Sequence, residues 1–239
     1  MKDYSILKVK DKTDSYYTHL KDIFDIPFRL IIVGKSFLSG KSTVILNLLL
    51  RDSFYKDHFK DGEDIYIISN NKMDNKMRIL KTEKDIDSSH FMEFSEENLE
   101  MIYEEVEEKV LAAVADGKKP PNSIVIVDDC AQALKEKMNG TLSRIATQGR
   151  HINMSLIVTS QKWSLLPTVL RCNASGAILF GNSAKEVDAM ADDLNYLDSK
   201  KEFVKMFRKA TSGKNQFMAV SFSNDEIYLD SQFKPIVMD

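Results

Sequence analysis

The stretch from Arg29 to Thr43, RLIIVGKSFLSGKST, constrains this chain more than any other. An apolar strand, Leu30 to Val33, runs into a short loop ending Gly40-Lys41-Ser42, and the apolar-periodic run Val44, Ile45, Leu48 and Leu49 follows at once. Strand, loop and helix in that order form the context of a phosphate-binding loop. Its N–H groups converge on phosphate oxygens where the helix dipole favours anions. The reading assigns Gly34, Lys35, Ser36, Phe37, Leu38, Ser39, Gly40, Lys41, Ser42 and Thr43 to the phosphates of ATP. Lys41 would reach the β- and γ-phosphates, and the Ser42 hydroxyl would ligate Mg²⁺. The usual spacing puts four residues between the two glycines. Here Gly34 and Gly40 have five between them, so the loop is one residue longer or Lys35 stands where the first glycine normally does.

The rest of the chain repeats the alternation. Strands are expected at Ser5 to Val9, Asp64 to Ser69, His90 to Phe94, Ser123 to Val127, Met154 to Thr159 and Gly176 to Phe180, with a closing hairpin from Phe217 to Phe222 and Ile227 to Leu229. Between them lie helical patterns: part of Asn70 to Asp85, a serine-capped run from Ser95 to about Ala115, Thr141 to Arg150, and most of Lys185 to Arg208. A helix carrying Leu165 and Leu166 is expected to break at Pro167. Continuous apolar strands such as Ser123 to Val127 are those of a parallel sheet buried on both faces. The expected fold is therefore α/β, a three-layer α/β/α P-loop NTPase with a mostly parallel central sheet of the RecA-like, additional-strand type. Residues 1–28 read as an N-terminal extension and 29–239 as the ATPase domain, with 183–239 a helical and hairpin C-terminal part. The glutamates of the Ser95 helix read as a solvated face.

A net charge of −3 excludes a uniformly polycationic surface, so contact with nucleic acid must use a local patch. No apolar run approaches the roughly 20 residues that span a bilayer. Two cysteines, Cys130 and Cys172, make no disulfide framework and suit a reducing compartment.

Two further motifs fall at strand ends. Ile124 to Asp129, IVIVDD, ends in two carboxylates, where ligands bind in open α/β sheets. Asp128 would hold Mg²⁺ or its water, and Asp129 would orient or deprotonate the attacking water. Capping of a helix beginning near Ala131 would explain one aspartate but not the pair. The long separation from Lys41 leaves room for intervening strands and places the acidic strand beside the P-loop strand. That is the additional-strand arrangement of motor NTPases, not the order of nucleotide kinases. The strand from Met154 ends Thr159-Ser160-Gln161, where Gln161 could sit beside the γ-phosphate.

Together IPFRLIIVGKSFLSGKST, IVIVDD, GRHINMSLIVTSQKWSLLPTVLRCNAS and ILF resemble the viral genome-packaging ATPases of the FtsK/HerA superfamily, poxvirus-type branch. The resemblance implies an ATPase that moves double-stranded DNA into a capsid as a homo-oligomeric ring docked on capsid or portal-vertex proteins. It implies an intracellular protein of the host cytoplasm, at sites of virus assembly, and of the virion. It makes Lys41 and Ser42 the phosphate and Mg²⁺ ligands, Asp128 and Asp129 the acidic pair and Gln161 the sensor. Arg150 and Arg171 become candidates for an arginine finger offered to a neighbouring subunit. The sequence departs from the wider superfamily in its loop spacing and in Asp129, where glutamate is usual.

The most basic window holds Lys200, Lys201, Lys205, Arg208, Lys209 and Lys214. Lys200, Lys201, Lys205 and Arg208 are the candidates for contact with DNA phosphates, although a solvated helix face explains the run equally well. Two other readings stay open: a nucleotide kinase or switch of the same fold class, and a scaffold that binds nucleotide without turnover. The distant Asp-Asp strand, the Ser-Gln strand and the lack of an arginine-rich lid oppose the kinase. Only the loop spacing supports the scaffold.

Overall fold

The computed structural model describes residues 23–35, 39–60, 62–71, 74–130, 140–223 and 227–237. The expected strand at Ser5 to Val9, the helix near Ala131 and loop residues Ser36, Phe37 and Leu38 lie outside them.

Eight strands make one sheet: β1 (Arg29–Val33), β2 (Ile65–Ser69), β3 (Phe91–Met92), β4 (Ser123–Asp128), β5 (Met154–Ser160), β6 (Gly176–Phe180), β7 (Phe217–Ser221) and β8 (Tyr228–Leu229). Their order is β3-β2-β4-β5-β1-β6-β7-β8. The pairings from β3 to β6 are parallel, and β7 and β8 join antiparallel. The helices are α1 (Lys41–Leu50), α2 (Asn75–Glu83), α3 (Glu96–Ala115), α4 (Thr141–Gln148), α5 (Thr168–Asn173), α6 (Ala184–Leu194) and α7 (Lys200–Ala210).

Alternate residues of each strand feed two cores. Ile31, Val33, Tyr66, Ile68, Val125, Val127, Leu156 and Val158 pack with α3, α4, α6 and α7. Leu30, Ile32, Ile65, Ile67, Ile124, Ile126 and Ile157 pack on the opposite face with α1 and α2. A strand that must be apolar on both faces loses period-two alternation, which is why these strands read as unbroken apolar runs.

Four features differ from expectation. The acidic strand β4 does not neighbour β1; β5 is inserted between them, paired to β4 on one side and to β1 on the other. Residues 23–28 are part of the second core, with Phe24, Ile26 and Phe28 fully buried. The Phe24 ring lies where a Cβ at Gly176 would come within 2.4 Å of it. Pro167 does not break a helix but stands at the N-cap of α5, where its missing N–H leaves no helical bond unmade. Trp163–Leu165 forms a separate 3₁₀ turn before it. The α3 glutamates are only partly a solvated face. Glu96 and Glu100 accept hydrogen bonds from Thr141 at the start of α4, and Glu100 pairs with Arg144 at 3.0 Å. Glu105 accepts from Tyr66 at 2.8 Å and pairs with Lys109 at 3.0 Å.

Candidate functional site

The parallel strands β1, β5, β4 and β2 all end at one edge of the sheet, in register. Val33 lies opposite Ser160, and Ser69 opposite Asp128. Gly34, Gln161 and Asp129 are the next residues along their chains, so three motifs distant in sequence meet there.

At the phosphate loop both glycines are needed. A Cβ on Gly34 would come within 2.7 Å of Ser39 Cβ and 2.9 Å of Phe180 Cβ, so the far end of the loop closes directly on Gly34. Gly40 has a φ of 89°, in the left-handed region. Helix α1 opens without a side-chain cap and without an acid in its first turn, leaving its N–H groups and dipole to an anion. Lys41 is buried and donates from Nζ to Gly34 O at 2.8 Å. Burial lowers its pKa, while the charges of Asp129 and then Asp128 act in the opposite sense.

Asp128 is 5% exposed. Burial raises its pKa most; the Thr159 hydrogen bond lowers it, Asp74 and Asp129 raise it, and Lys41 lowers it. The Thr159 hydroxyl donates to Asp128 Oδ1 at 2.7 Å and accepts from Asp129 N at 2.9 Å, so one buried side chain sets both carboxylates. Asp129 is exposed and has a φ of 52°, a conformation non-glycine residues seldom adopt. It turns away from the strand line toward Gln161, whose Nε2 donates to its two oxygens at 3.3 and 3.4 Å. The Cys130 thiol donates to Asp128 O at 3.2 Å, and burial pushes its pKa up to about 11, so it is a neutral backbone partner.

Sequence reasoning missed Thr159, Asp74 and Lys76. The signal for Thr159 was weak, since β5 also carries the hydroxyls of Ser155 and Ser160. Asp74 caps α2, accepting from Lys76 N at 2.8 Å and Met77 N at 3.1 Å, and its charge acts on Asp128. Lys76 Nζ donates to Thr43 Oγ1, bringing a second cation to the start of α1. Nothing in a polar loop distinguishes these two before the chain is folded.

A cleft of about 950 Å³ opens beside the loop, with Gly40, Lys41, Ser42 and Thr43 at one end and Phe54, Phe217, Gln232 and Phe233 at the other. Among the described residues no group of three His, Cys, Asp or Glu side chains is placed to hold a metal by itself. Mg²⁺ does not need one, since it is bound through one or two carboxylates together with phosphate oxygens and water.

The two candidate arginines differ. Arg171 donates to Asp193 and, from Nε at 3.2 Å, to Leu166 O. Asp193 also accepts from Trp163 Nε1 at 2.6 Å. Arg171 thus ties α5 to α6 within its own subunit, at variance with a free finger. Arg150 is exposed and faces only His151 Nε2, at 3.4 Å, with no carboxylate partner among the described residues. Asn153, from the same GRHIN segment, is structural: its Nδ2 donates to Pro121 O at 2.7 Å and Asn122 Oδ1 at 2.8 Å. On α7, Lys200 is paired with Asp192 at 2.7 Å. Lys201, Lys205 and Arg208 are exposed at helical spacing on one outward face.

The segment following Gln161 is held by α6 and the turn before it. Asn182 Nδ2 donates to Gln161 O at 3.1 Å. The buried Glu186 accepts from Ser164 N at 3.0 Å and Ser164 Oγ at 2.7 Å.

Residues 17–234 match the family of the poxvirus A32 protein. No curated protein matches the chain in sequence. Among solved structures, the genome packaging NTPase B204 from Sulfolobus turreted icosahedral virus 2, in complex with AMPPCP, superposes with a TM-score of 0.58 at 15% identity, covering 90% of this chain and 98% of that one. B204 from Sulfolobus Turreted Icosahedral Virus, described as a DNA-packaging ATPase, superposes with a TM-score of 0.58 at 16% identity, covering 89% and 99%. EssC (ATPases 2 and 3) from Geobacillus thermodenitrificans gives 0.56 at 18% identity over 85% of this chain and 39% of that one. At these identities the structural likeness shows a shared fold. The family match spans most of the sequence, and the chain belongs to the poxvirus A32 protein family.

Proposed function

We propose that this member of the A32 family is an ATP-hydrolysing motor that drives double-stranded viral DNA into a capsid. The observation that carries the reading is the convergence of Lys41, Asp128, Asp129 and Gln161 at one sheet edge, with β5 inserted between the P-loop strand and the acidic strand. The B204 proteins of the same fold are described as packaging NTPases and in one case as bound to ATP-gammaS.

In this mechanism the N-terminus of α1 and Lys41 neutralise the β- and γ-phosphates. Ser42 and Asp128 offer the hard oxygen donors that Mg²⁺ prefers, and the clustering of Asp74 and Asp129 around the buried Asp128 is negative charge that a dication relieves. When bound, Mg²⁺ would neutralise charge on the β- and γ-oxygens. Asp129 takes the proton of the attacking water, and Gln161, bonded to it, aligns water and carboxylate. The shorter aspartate reaches outward because its left-handed backbone swings it from the strand end. Arg150, projecting without an acidic partner, completes the site of a neighbouring subunit in a ring. Lys201, Lys205 and Arg208, with Lys200 beside them, face the DNA backbone and contact phosphates without reading sequence. Capsid or portal-vertex proteins are the docking partners. Among the described residues no helix is long and apolar enough to cross a membrane.

The test is phosphate release from Mg·ATP with and without double-stranded DNA. The reading expects turnover that DNA stimulates and that Lys41→Ala removes. Turnover unchanged in Lys41→Ala would overturn it.

A further inference from the structure

The cleft extends well past the phosphate loop, and its far wall comes from parts of the chain that the motifs leave without a role. Thr43 and Asn47, one face of α1, and Arg51 at its C-cap line it from the phosphate end outward. Eight residues of helix span about 12 Å, the scale of a nucleoside. The far wall is aromatic. Phe54 and Phe233 have ring centroids 5.5 Å apart and Phe217 and Phe233 are also 5.5 Å apart, while Phe180, 5.4 Å from Phe217, carries the row of rings back to Gly34 and Gly40 of the phosphate loop. Arg51 lies 6.0 Å from the Phe54 ring centroid. Around this wall stand the exposed polar side chains Lys214, Asn215 and Gln232.

The wall is built and not left over from packing. Asp230 Oδ1 accepts from Gln232 N at 2.8 Å and Lys234 N at 3.0 Å, and Asp230 N donates to Lys234 O at 2.8 Å. That turn fixes Phe233 at a φ of 59°, which a bulky side chain adopts only when its surroundings impose it. Three aromatic neighbours, Phe24, Phe54 and Phe217, then surround the ring.

We propose that this far end of the cleft is a nucleobase seat, in which the planar base of the nucleoside triphosphate stacks on Phe233, meets the inclined Phe54 ring (66° to Phe233) at its edge, and has its polar edge read by Gln232. The proposal rests on the phosphate-loop reading and extends it. A π-face on the wall holds any base by stacking, while a side-chain amide offers both donors and an acceptor to one edge. Gln232 therefore sets the preference between adenine and guanine, and Phe233 the affinity for either.

The experiment measures binding of ATP, GTP and inorganic tripolyphosphate to the full chain with Mg²⁺, in wild type, Phe233→Leu, Gln232→Ala and Lys41→Ala. Leucine keeps the apolar packing but removes the aromatic face. Phe233→Leu is expected to weaken ATP by about 5- to 150-fold and to leave tripolyphosphate unchanged. Lys41→Ala should weaken both. Equal effects of Phe233→Leu on ATP and tripolyphosphate, or none on either, would overturn the seat and leave the phosphate loop standing. Unchanged binding of both ligands in Lys41→Ala would instead overturn the phosphate loop. Should Phe233→Leu lower the unfolding temperature, the exposed Gln232→Ala decides: a shifted ATP-to-GTP preference supports the seat, and an unaltered one overturns it.

Discussion

Replacing Asp128 with asparagine separates what the site costs the fold from what it does for the ligand. The carboxylate is 5% exposed and sits near Asp74 and Asp129, and the net effect is a raised pKa. An acid whose pKa is higher folded than unfolded binds a proton more tightly in the native state, so ionising it opposes folding. The sign follows. Below the ordinary value of 3.8 both states are protonated and Asp128 exacts no penalty. As pH rises from there to the raised folded pKa the penalty grows, and above the folded pKa it is complete. Asparagine keeps the shape and an oxygen to accept from Thr159, and Lys41 retains Asp129, which acts on it more strongly than Asp128 does. Asp128→Asn should therefore stabilise the nucleotide-free chain at pH 7 by about 0.5–2 kcal/mol. The gain should read as an increase in Tm of about 2–4 °C per kcal/mol and vanish toward pH 3. The same variant should bind ATP more weakly with Mg²⁺ than wild type and gain less from adding the metal. Thermal unfolding across pH, without nucleotide and with Mg·ATP, measures both. A Tm lower than wild type at pH 7 would refute the charge argument.

Three further outcomes are expected. Asp129→Asn should still bind Mg·ATP but lose about 10²–10⁴-fold in turnover, as removal of a general base does; if it behaves like Asp128→Asn, the division of labour between the carboxylates is wrong. Thr159→Val leaves Asp128 Oδ1 and Asp129 N without their shared partner, which should cost about 1–3 kcal/mol in denaturant unfolding, and an unchanged midpoint would count against its role. A trans finger is worth about 10³–10⁵ in rate, so inactive Arg150→Ala and Lys41→Ala subunits should recover part of the ATPase when mixed, whereas no recovery in normally assembled mixtures would remove Arg150 from the mechanism.

The central strands of the parallel sheet were legible because they are buried on both faces and bounded by polar turns, and Ser95 announced α3 by its cap. The neighbour of the acidic strand was not legible: chain order allows β4 beside β1, and only the folded sheet shows β5 between them. Pro167 was misread because proline ends one helix and begins another with the same local chemistry. In the site, Lys41, Asp128, Asp129 and Gln161 could be found because each follows an apolar strand at the ligand-binding edge. Asp74, Lys76 and the Phe233 wall could not, since each reaches the cleft from a turn or helix start without a motif. Arg171 and Arg150 looked alike in sequence; Asp193, a helix away, is what separates them.

The most direct test of the motor is displacement of a third strand from a triplex-bearing DNA duplex by the purified chain. DNA movement driven by hydrolysis predicts displacement that requires Mg·ATP, grows slower as the duplex ahead of the triplex lengthens, and disappears in Asp129→Asn although that variant still binds ATP. Sustained hydrolysis with the third strand left in place, or displacement that proceeds without ATP, would contradict it.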